Sequence, residues 1–194
     1  MKKLFAALLV ALCGAVSLCA DDIADVKAVI FKNNELQARH DFKALPALYS
    51  RRYRQIDAAG GECCDYVMLK LLIVAMDGRH PEEFLQFMAM QANGGRLPSP
   101  ETMARISQMA SDPKVVREYR AALVKLLAYS DKEAAAWRKT VRFVRCEVRG
   151  DLATVVEEYD GYDPESGAAK HKSVTVVLRR ENGVWRYFRE IDEP

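Results

Sequence analysis

The chain has 194 residues, half of them hydrophobic, with 29 Lys and Arg against 27 Asp and Glu. This length suits one domain of ordinary size, which can bury a core without disulfides or metals. The small net charge of +2 argues against a nucleic-acid partner, because proteins that bind nucleic acids carry a strongly basic surface.

The first 20 residues predict a secretory signal peptide. Met1-Lys2-Lys3 is positively charged, and the apolar segment Leu4–Leu18 follows it. That segment is shorter than the roughly 20 residues that a membrane span needs. Ala20 precedes the acidic pair Asp21-Asp22, so cleavage after Ala20 is expected to leave residues 21–194 as a single mature domain.

Two alternatives to this cleavage site stay open. Cleavage after Ser17 is compatible with the small residues Ala15 and Ser17. A lipid-anchored start at Cys13 or Cys19 is disfavoured, because a leucine precedes each cysteine where a lipoprotein signal has a small residue. The expectation is an exported protein, periplasmic or extracellular, with no transmembrane segment once the signal peptide is removed.

Three cysteines follow the predicted signal peptide: Cys63, Cys64 and Cys146. Adjacent cysteines rarely bridge each other, so either Cys146 pairs with Cys63 or Cys64, or all three remain thiols packed as small apolar groups. No second cysteine pair and no nearby histidine complete a zinc ligand set, so neither a metal nor a cofactor is expected.

The first part of the mature chain predicts helices around one short strand pair. The apolar spacing of Ile23–Arg39 predicts an amphipathic helix, and Asp41 is a candidate N-cap for a short helix through Tyr49. Residues 51–57 alternate as a strand does, Gly60-Gly61 turns the chain, and 62–64 can return. Residues 65–76 are apolar almost all round and predict a buried helix.

Residues 81–137 predict an enlarged helical insertion. Asn93-Gly94-Gly95 ends one helix, and Ser99-Pro100 begins the next with a cap and a first-turn proline. Asp112-Pro113 repeats this pattern and predicts a helix to about Tyr129. A last helix is expected to begin at Ser130.

The C-terminal segment 140–191 predicts a four-stranded meander. Gly150-Asp151 and Asn182-Gly183 are two-residue hairpin turns, and the second is the strongest short hairpin signal. Strands are expected over 140–149, 152–160, 172–181 and 184–191.

Two-residue turns fix the register, so the residues that face each other across each hairpin can be predicted. The expected pairs are Val148 with Ala153, Cys146 with Val155, Val144 with Glu157, Arg142 with Tyr159, Arg180 with Trp185, Leu178 with Tyr187, Val176 with Arg189 and Val174 with Ile191. In this register five polar residues share the core face at one end of the sheet: Arg142, Glu157, Tyr159, Lys172 and Arg189. Charges on a core face must be paired, solvated or functional.

Several motifs together resemble the nuclear transport factor 2-like superfamily, with its SnoaL-like and ketosteroid isomerase-like branches and its cystatin-like fold. They are Asp41-Phe42-x-Ala44-Leu45-x-x-Leu48-Tyr49, Tyr53-x-x-Ile56-Asp57-x-x-Gly60, Gly150-Asp151-x-Ala153-x-Val155 and Val176-x-Leu178-Arg179-Arg180-x-x-Gly183-x-Trp185-Arg186. The resemblance implies an α+β fold in which N-terminal helices pack on a curved antiparallel sheet and form a conical pocket. It also implies that the outer sheet face can form a homodimer.

The predicted polar cluster favours a non-catalytic binding domain for a small apolar or anionic ligand. Arg142, Lys172 and Arg189 would orient an anionic or carbonyl-bearing ligand together with Tyr159. Trp185 and Tyr187 would form the apolar floor. The structural alternative is that Glu157 only forms a salt bridge with Arg189 or Arg142.

Two other functions stay open. An isomerase or dehydratase would use Glu157 or Asp57 as a general base, with its pKa raised by an apolar pocket, and a tyrosine hydroxyl as the electrophilic partner. A purely structural module would dimerise through Val177, Val184 and Phe188 on the outer sheet face.

Export gives the first testable prediction. The positive start and the short apolar segment predict a mature protein that begins at Asp21, outside the cytoplasm. Intact mass spectrometry of the protein recovered from the periplasm or the medium checks this start. A cytoplasmic protein that still begins at Met1 would contradict the prediction.

Overall fold

The computed structural model describes residues 21–163 and 166–193. The predicted signal peptide lies outside the described residues. Within them, no helix is both long and apolar enough to span a bilayer.

Five α-helices, one 3-10 helix and six strands make up the described chain. In order they are α1 (21–38), the 3-10 helix Phe42–Leu48, β1 (Tyr49–Ile56), β2 (Glu62–Asp65), α2 (Tyr66–Ala75), α3 (Pro81–Ala92), α4 (Pro100–Ala110), α5 (Pro113–Thr140), β3 (Arg142–Arg149), β4 (Leu152–Tyr162), β5 (Ala169–Glu181) and β6 (Val184–Asp192). The helices and strands predicted from sequence are therefore present, with two differences in the helices.

The first difference is that α5 is one helix of 28 residues. The sequence predicted an end near Tyr129 and a new start at Ser130, but no glycine or proline interrupts the chain there. The second difference is at Asp41, which precedes a 3-10 helix and makes no side-chain capping bond. The caps of α2, α4 and α5 do form, because Asp65, Ser99 and Asp112 each accept a backbone N–H of the first turn.

The six strands form one open, curved sheet in the order β2-β1-β6-β5-β4-β3. All neighbours are antiparallel except β1 and β6, which run parallel. The predicted α+β fold of helices on a curved sheet is confirmed. The sheet is mixed, however, and not purely antiparallel as predicted.

Both predicted hairpin turns are present. Asn182 and Gly183 have φ values of 53° and 79°, which is the left-handed backbone that an Asn-Gly turn supplies. Near the turns the predicted register is confirmed, with Val148 facing Ala153, Cys146 facing Val155, Arg180 facing Trp185 and Leu178 facing Tyr187.

Farther from the turn in the second hairpin, the predicted register is wrong. A β-bulge places one extra residue, Phe188, in β6, so Arg189 faces Val177 and Glu190 faces Val176. A bulge shifts all later side chains to the opposite face. Arg189 is consequently exposed, and Glu190 takes the inward position that the sequence had assigned to Arg189.

A second irregularity changes the far end of the first hairpin. The register shifts between Phe143 and Arg145, so Phe143 faces Glu157 and Arg142 faces Glu158. The expected pairs of Val144 with Glu157 and Arg142 with Tyr159 are therefore wrong. Val144 is 51% exposed.

The structure contradicts a disulfide from Cys146 to either other cysteine. All three thiols are free, and they lie on β2 and β3, the two opposite edges of the sheet. Five strand spacings of about 4.8 Å separate those edges, whereas a disulfide requires Cα atoms within about 7 Å. Burial raises the pKa of all three thiols, that of Cys64 to about 12.

Helices α1 and α5 cover one face of the sheet, here called the inner face. The main core consists of buried residues of these two helices and of the sheet strands β1, β4, β5 and β6. They are Val26, Ile30, Tyr49, Tyr53, Trp137, Ala153, Val155, Val176, Leu178, Trp185 and Tyr187. Asp22 and Arg180 form an ion pair that ties the start of α1 to β5. Helix α3 instead packs on α2 in a smaller cluster with Met68, Phe87 and Met90.

Candidate ligand cavity

A cavity of about 350 Å³ lies between the inner face of the sheet and helices α1, α2 and α5. Most of its lining side chains are apolar or aromatic. The polar ones come from α1, which contributes three amides, and from α5 and the sheet, which contribute the carboxylates. The second half of α5, from Leu126 to Trp137, forms one wall. Helices α3 and α4 contribute no lining residue, so only α5 of the predicted helical insertion shapes the cavity.

Glu157 is the most deeply buried charged group of this wall, with 5% of its surface exposed. It lies on β4, and its Oε2 accepts the indole N–H of Trp137 at 2.8 Å. Burial raises the pKa of Glu157 to about 7, the Trp137 bond lowers it, and the charge of Glu190 raises it further.

Glu190 is the second carboxylate of the cavity. It lies on β6 beyond the bulge. Its Oε2 accepts a hydrogen bond from the hydroxyl group of Tyr53, which lies on β1. Burial raises the pKa of Glu190 to about 7, against the lowering effect of the Tyr53 bond, and the charge of Asp192 contributes to the increase. Both carboxyl groups are thus part protonated and part ionised near neutral pH.

Two aromatic rings form the wall beside these carboxylates. Tyr49 and Tyr187 stack with ring centroids 4.9 Å apart, and the amide of Asn33 on α1 donates to the Tyr49 hydroxyl at 3.1 Å. Burial raises the pKa of both tyrosines well above the ordinary value. They therefore remain neutral hydroxyl groups at physiological pH.

The third carboxylate of the cavity belongs to Glu133 on α5, and it is paired. Lys172 on β5 donates to Glu133 and, at 3.2 Å, to the hydroxyl of Tyr129. Burial opposes the charge of Lys172, but these two hydrogen bonds outweigh it and raise the pKa of the lysine. Glu133 also accepts the backbone N–H of Tyr162 at 3.0 Å.

The close approach of Glu133 to the sheet depends on Gly161. A Cβ atom at position 161 would lie 2.5 Å from Oε1 of Glu133. A side chain at position 161 would therefore force the Glu133 carboxylate to move.

The structure brings together four of the seven residues that the sequence singled out. Glu157, Tyr159 and Tyr187 line the cavity, and Lys172 lies next to it, bonded to lining residues. Burial and the neighbouring Glu133 raise the pKa of Tyr159 above its ordinary value.

The other three predicted residues lie elsewhere, which corrects the predicted cluster. Arg142 is exposed and pairs with Glu158 at 3.0 Å. Arg189 is exposed on the outer face, with its guanidinium 5.4 Å from the ring of Phe188. Trp185 is buried in the main core under the guanidinium of Arg180 and is not part of the cavity floor.

Two further expectations about carboxylates are corrected. Glu157 forms no salt bridge with Arg142 or Arg189, because Trp137 is its hydrogen-bond partner and both arginines lie on the other face. Asp57 does not line the cavity. It accepts backbone N–H groups of Ala59 and Gly61 at 2.9 and 2.8 Å and so holds the turn after β1.

Sequence reasoning missed Glu190, Tyr53, Trp137 and Glu133. The expected pairing of Val176 with Arg189 leaves the next residue, Glu190, on the outer face, and only recognition of the bulge at Phe188 moves it inward. Tyr53 lies on a strand whose alternation was visible, so its inward position could have been read from sequence. The two α5 residues depend on helix–sheet packing, for which the sequence holds no local signal.

Neither a protein-family model nor a curated protein matches this chain. Solved structures similar to it include a nuclear transport factor 2-like protein with a cystatin-like fold from Novosphingobium aromaticivorans, with 15% identity and a TM-score of 0.47 over 94% of this chain and 86% of that chain. A candidate dehydratase of the same family from Streptomyces avermitilis has 12% identity and a TM-score of 0.44. The match covers 90% of this chain and 96% of that chain. A ketosteroid isomerase-like protein from Erwinia carotovora atroseptica has 11% identity and a TM-score of 0.39. The match covers 89% of this chain and 95% of that chain.

These neighbours carry the family names that the sequence motifs predicted. What the structure itself establishes is an α+β fold with helices on an open six-stranded curved sheet. At 11 to 15% identity the similarity concerns the fold, and function must be argued from the cavity of this chain.

The raised pKa of Glu157 gives the second prediction. A carboxyl whose pKa rises from 4.5 to about 7 on folding binds protons more tightly in the folded state. Its stabilising contribution is therefore complete below about pH 4.5 and is lost as the pH rises towards 7. Glu157→Gln keeps an acceptor for Trp137 and removes the charge, so we expect it to be more stable than the wild type at pH 8 by on the order of 3 kcal/mol.

Urea denaturation between pH 5 and pH 8 measures this difference, which should shrink as the pH falls. Glu158→Gln is the matched control, because Glu158 is the next residue of the same strand and pairs with Arg142 on the other face. A wild-type stability that rises from pH 5 to pH 8 relative to Glu157→Gln would contradict the prediction.

Proposed function

We propose that the chain is an exported domain that binds a small, largely apolar organic molecule in the cavity between the sheet and α5. The observation that carries this proposal is an apolar space of about 350 Å³ with two carboxyl groups, Glu157 and Glu190, on its sheet wall. Small-molecule sites have this character: a mostly apolar cavity of about 300–1,000 Å³ with a few convergent polar groups.

The packing around the cavity supports a preformed site. Trp137, Tyr49 and Tyr187 are each less than 10% exposed and are fixed by hydrogen bonds or ring contacts. Protein cores are otherwise packed to the density of organic crystals. A space of this size, bordered by well-packed aromatic side chains, is therefore available to a ligand without a large rearrangement.

Filling the cavity tests the binding function. Ala134 lines the cavity and is 4% exposed, whereas the next residue, Ala135, is exposed on the same helix. Prodan, a neutral fluorophore sensitive to polarity, is the probe. We expect saturable prodan binding by the wild type, a loss of affinity of at least tenfold in Ala134→Phe, and unchanged binding in Ala135→Phe.

Fluorescence titration measures the affinities, and thermal unfolding shows whether each variant is folded. The proposal fails if the wild type does not bind prodan. It also fails if a folded Ala134→Phe variant binds prodan as well as the wild type does.

Acid–base catalysis beside a carbonyl group is a second candidate function. The observation in its favour is that both cavity carboxyl groups have pKa values of about 7, the value at which a group can both accept and donate a proton near neutral pH. The Tyr53 hydroxyl next to Glu190 resembles the arrangement of a base with a hydrogen-bond donor. This function would be an isomerase or dehydratase type of chemistry.

Exchange of α-protons of cyclohexanone in heavy water tests catalysis. The base must be ionised, so we expect a rate that rises with pH through about 7 and falls by at least a hundredfold in Glu157→Gln or Glu190→Gln. Proton NMR follows the exchange, with Glu158→Gln as the control. Equal rates in all variants would exclude this reaction from the cavity.

A further inference from the structure

The charge of the cavity wall is one-sided. Among the described residues that line it are three carboxylates, those of Glu133, Glu157 and Glu190, and no lysine, arginine or histidine. Lys172 neutralises Glu133 by direct contact. No basic group lies within ion-pair distance of Glu157 or Glu190 in the part of the chain that the structure describes.

Glu157 has an oxygen left for a ligand. Its Oε2 accepts the Trp137 indole N–H, and its Oε1 receives no hydrogen bond from the described residues. In the described chain, every fully buried polar side-chain atom has a hydrogen-bond partner. Because Oε1 has no such partner, it is not fully buried and retains an accessible surface. Because Glu157 is 95% buried and lines the cavity, this surface faces the cavity.

Aromatic side chains line the cavity together with the two carboxyl groups. Tyr49, Tyr159 and Tyr187 belong to the sheet wall, and Trp137 belongs to the wall that α5 forms. The faces of aromatic rings attract cations within about 6 Å, and the attraction strengthens when the cation is removed from water. Carboxylates combined with several aromatic side chains form a favourable environment for a positively charged group.

We infer that the cavity selects organic cations, namely small amines whose ammonium group reaches Glu157 and Glu190 and whose apolar part occupies the space beside α2 and α5. This inference rests on the proposed binding function and adds the ligand class. The same wall disfavours an anionic ligand, because the charge of the ligand would lie near two carboxyl groups without a neighbouring free cation among the described residues. The sign of the predicted ligand is thereby reversed relative to the sequence analysis.

Binding of an amine is coupled to ionisation of the carboxyl groups. An ammonium ion favours the ionised form of a nearby carboxyl, whereas both groups are partly protonated near pH 7 in the free protein. The titratable or charged side chains around the pair, taken from each element that packs against it, are Tyr49 and Tyr53 (β1), Cys64 (β2), Tyr129 and Glu133 (α5), Tyr159 (β4), Lys172 (β5), and Tyr187 and Asp192 (β6). The pKa values of Tyr49, Tyr53, Tyr159, Tyr187 and Cys64 are all raised, so these groups remain neutral between pH 6 and pH 8. The raised pKa of Lys172 keeps the lysine charged. Glu157 and Glu190 therefore titrate in this pH range.

A matched series of ligands tests the inference with the full mature chain. Phenethylamine, phenethyl alcohol and phenylacetate share an aromatic body and differ in charge. By isothermal titration calorimetry at pH 8, we expect phenethylamine to bind at least tenfold more tightly than the alcohol, and phenylacetate to bind most weakly. A carboxyl with a pKa of about 7 is about one-tenth ionised at pH 6, so the affinity for phenethylamine should be about tenfold lower there, with little change for the alcohol.

Variants separate the two carboxyl groups from the rest of the surface. Glu157→Gln and Glu190→Gln should each reduce the preference for the amine and its pH dependence, and thermal unfolding shows whether each variant is folded. Glu158→Gln should leave the preference unchanged, because its carboxylate lies on the outer face.

The possible failures are distinguishable. If prodan binds in the cavity but the alcohol or phenylacetate equals or exceeds phenethylamine, the inference is overturned and the binding function stands. Absence of phenethylamine binding at millimolar concentration, with prodan still bound, overturns it as well. If neither prodan nor phenethylamine binds, both the inference and the proposed function fail.

Discussion

The hydrogen bond from Trp137 to Glu157 sets the distance between α5 and the sheet. It joins the last turn of a 28-residue helix to the middle of β4, and the ion pair of Glu133 with Lys172 provides a second attachment one helical turn earlier. These two attachments hold α5 over the inner face while its smaller residues, such as Ala134, leave space beneath the helix. The cavity is therefore a consequence of how α5 is anchored: large polar and aromatic side chains make contact at one end, and no equally large side chain fills the space next to them.

The sequence predicted most of the fold because the decisive signals are local. Proline and capping residues mark the starts of α4 and α5, and the Asn182-Gly183 turn fixes the pairs closest to it. The prediction failed at a distance from the turns. A bulge adds one residue to one strand, and because side chains alternate with a period of two, every later residue changes face. Phe188 and its neighbours contain no glycine or proline that would mark the bulge. The continuous α5 has the opposite explanation: Ser130 is a good cap residue, but without a chain-breaking neighbour it was accommodated within the helix.

The bulge has a large consequence for the site, because consecutive residues of β6 have opposite charges. With the register of a regular hairpin, Arg189 faces the cavity and the site attracts anions. With the bulge, Glu190 faces the cavity, accepts the Tyr53 hydroxyl and adds a second carboxyl to that of Glu157. The identity of the inward residues on β4 could be predicted, since the first hairpin is regular near its turn. The walls supplied by α1 and α5 could not, because the rotation of a helix about its axis on a sheet is decided by the packing of the whole core.

The unfavourable ionisation of Glu157 and Glu190 argues that these two carboxyl groups have a role beyond structure. A hydrogen-bond acceptor for Trp137 need not be charged, because a glutamine at position 157 can also accept the indole N–H. The same holds for the Tyr53 hydroxyl and position 190. The pKa values of both carboxyl groups are raised to about 7, so their ionisation is unfavourable near neutral pH. This unfavourable ionisation destabilises the folded protein. Polar groups that reduce stability in apolar surroundings are typical of sites that have a function. A ligand that supplies the missing positive charge would remove the penalty, since it stabilises the ionised carboxylates that the protein alone leaves unpaired.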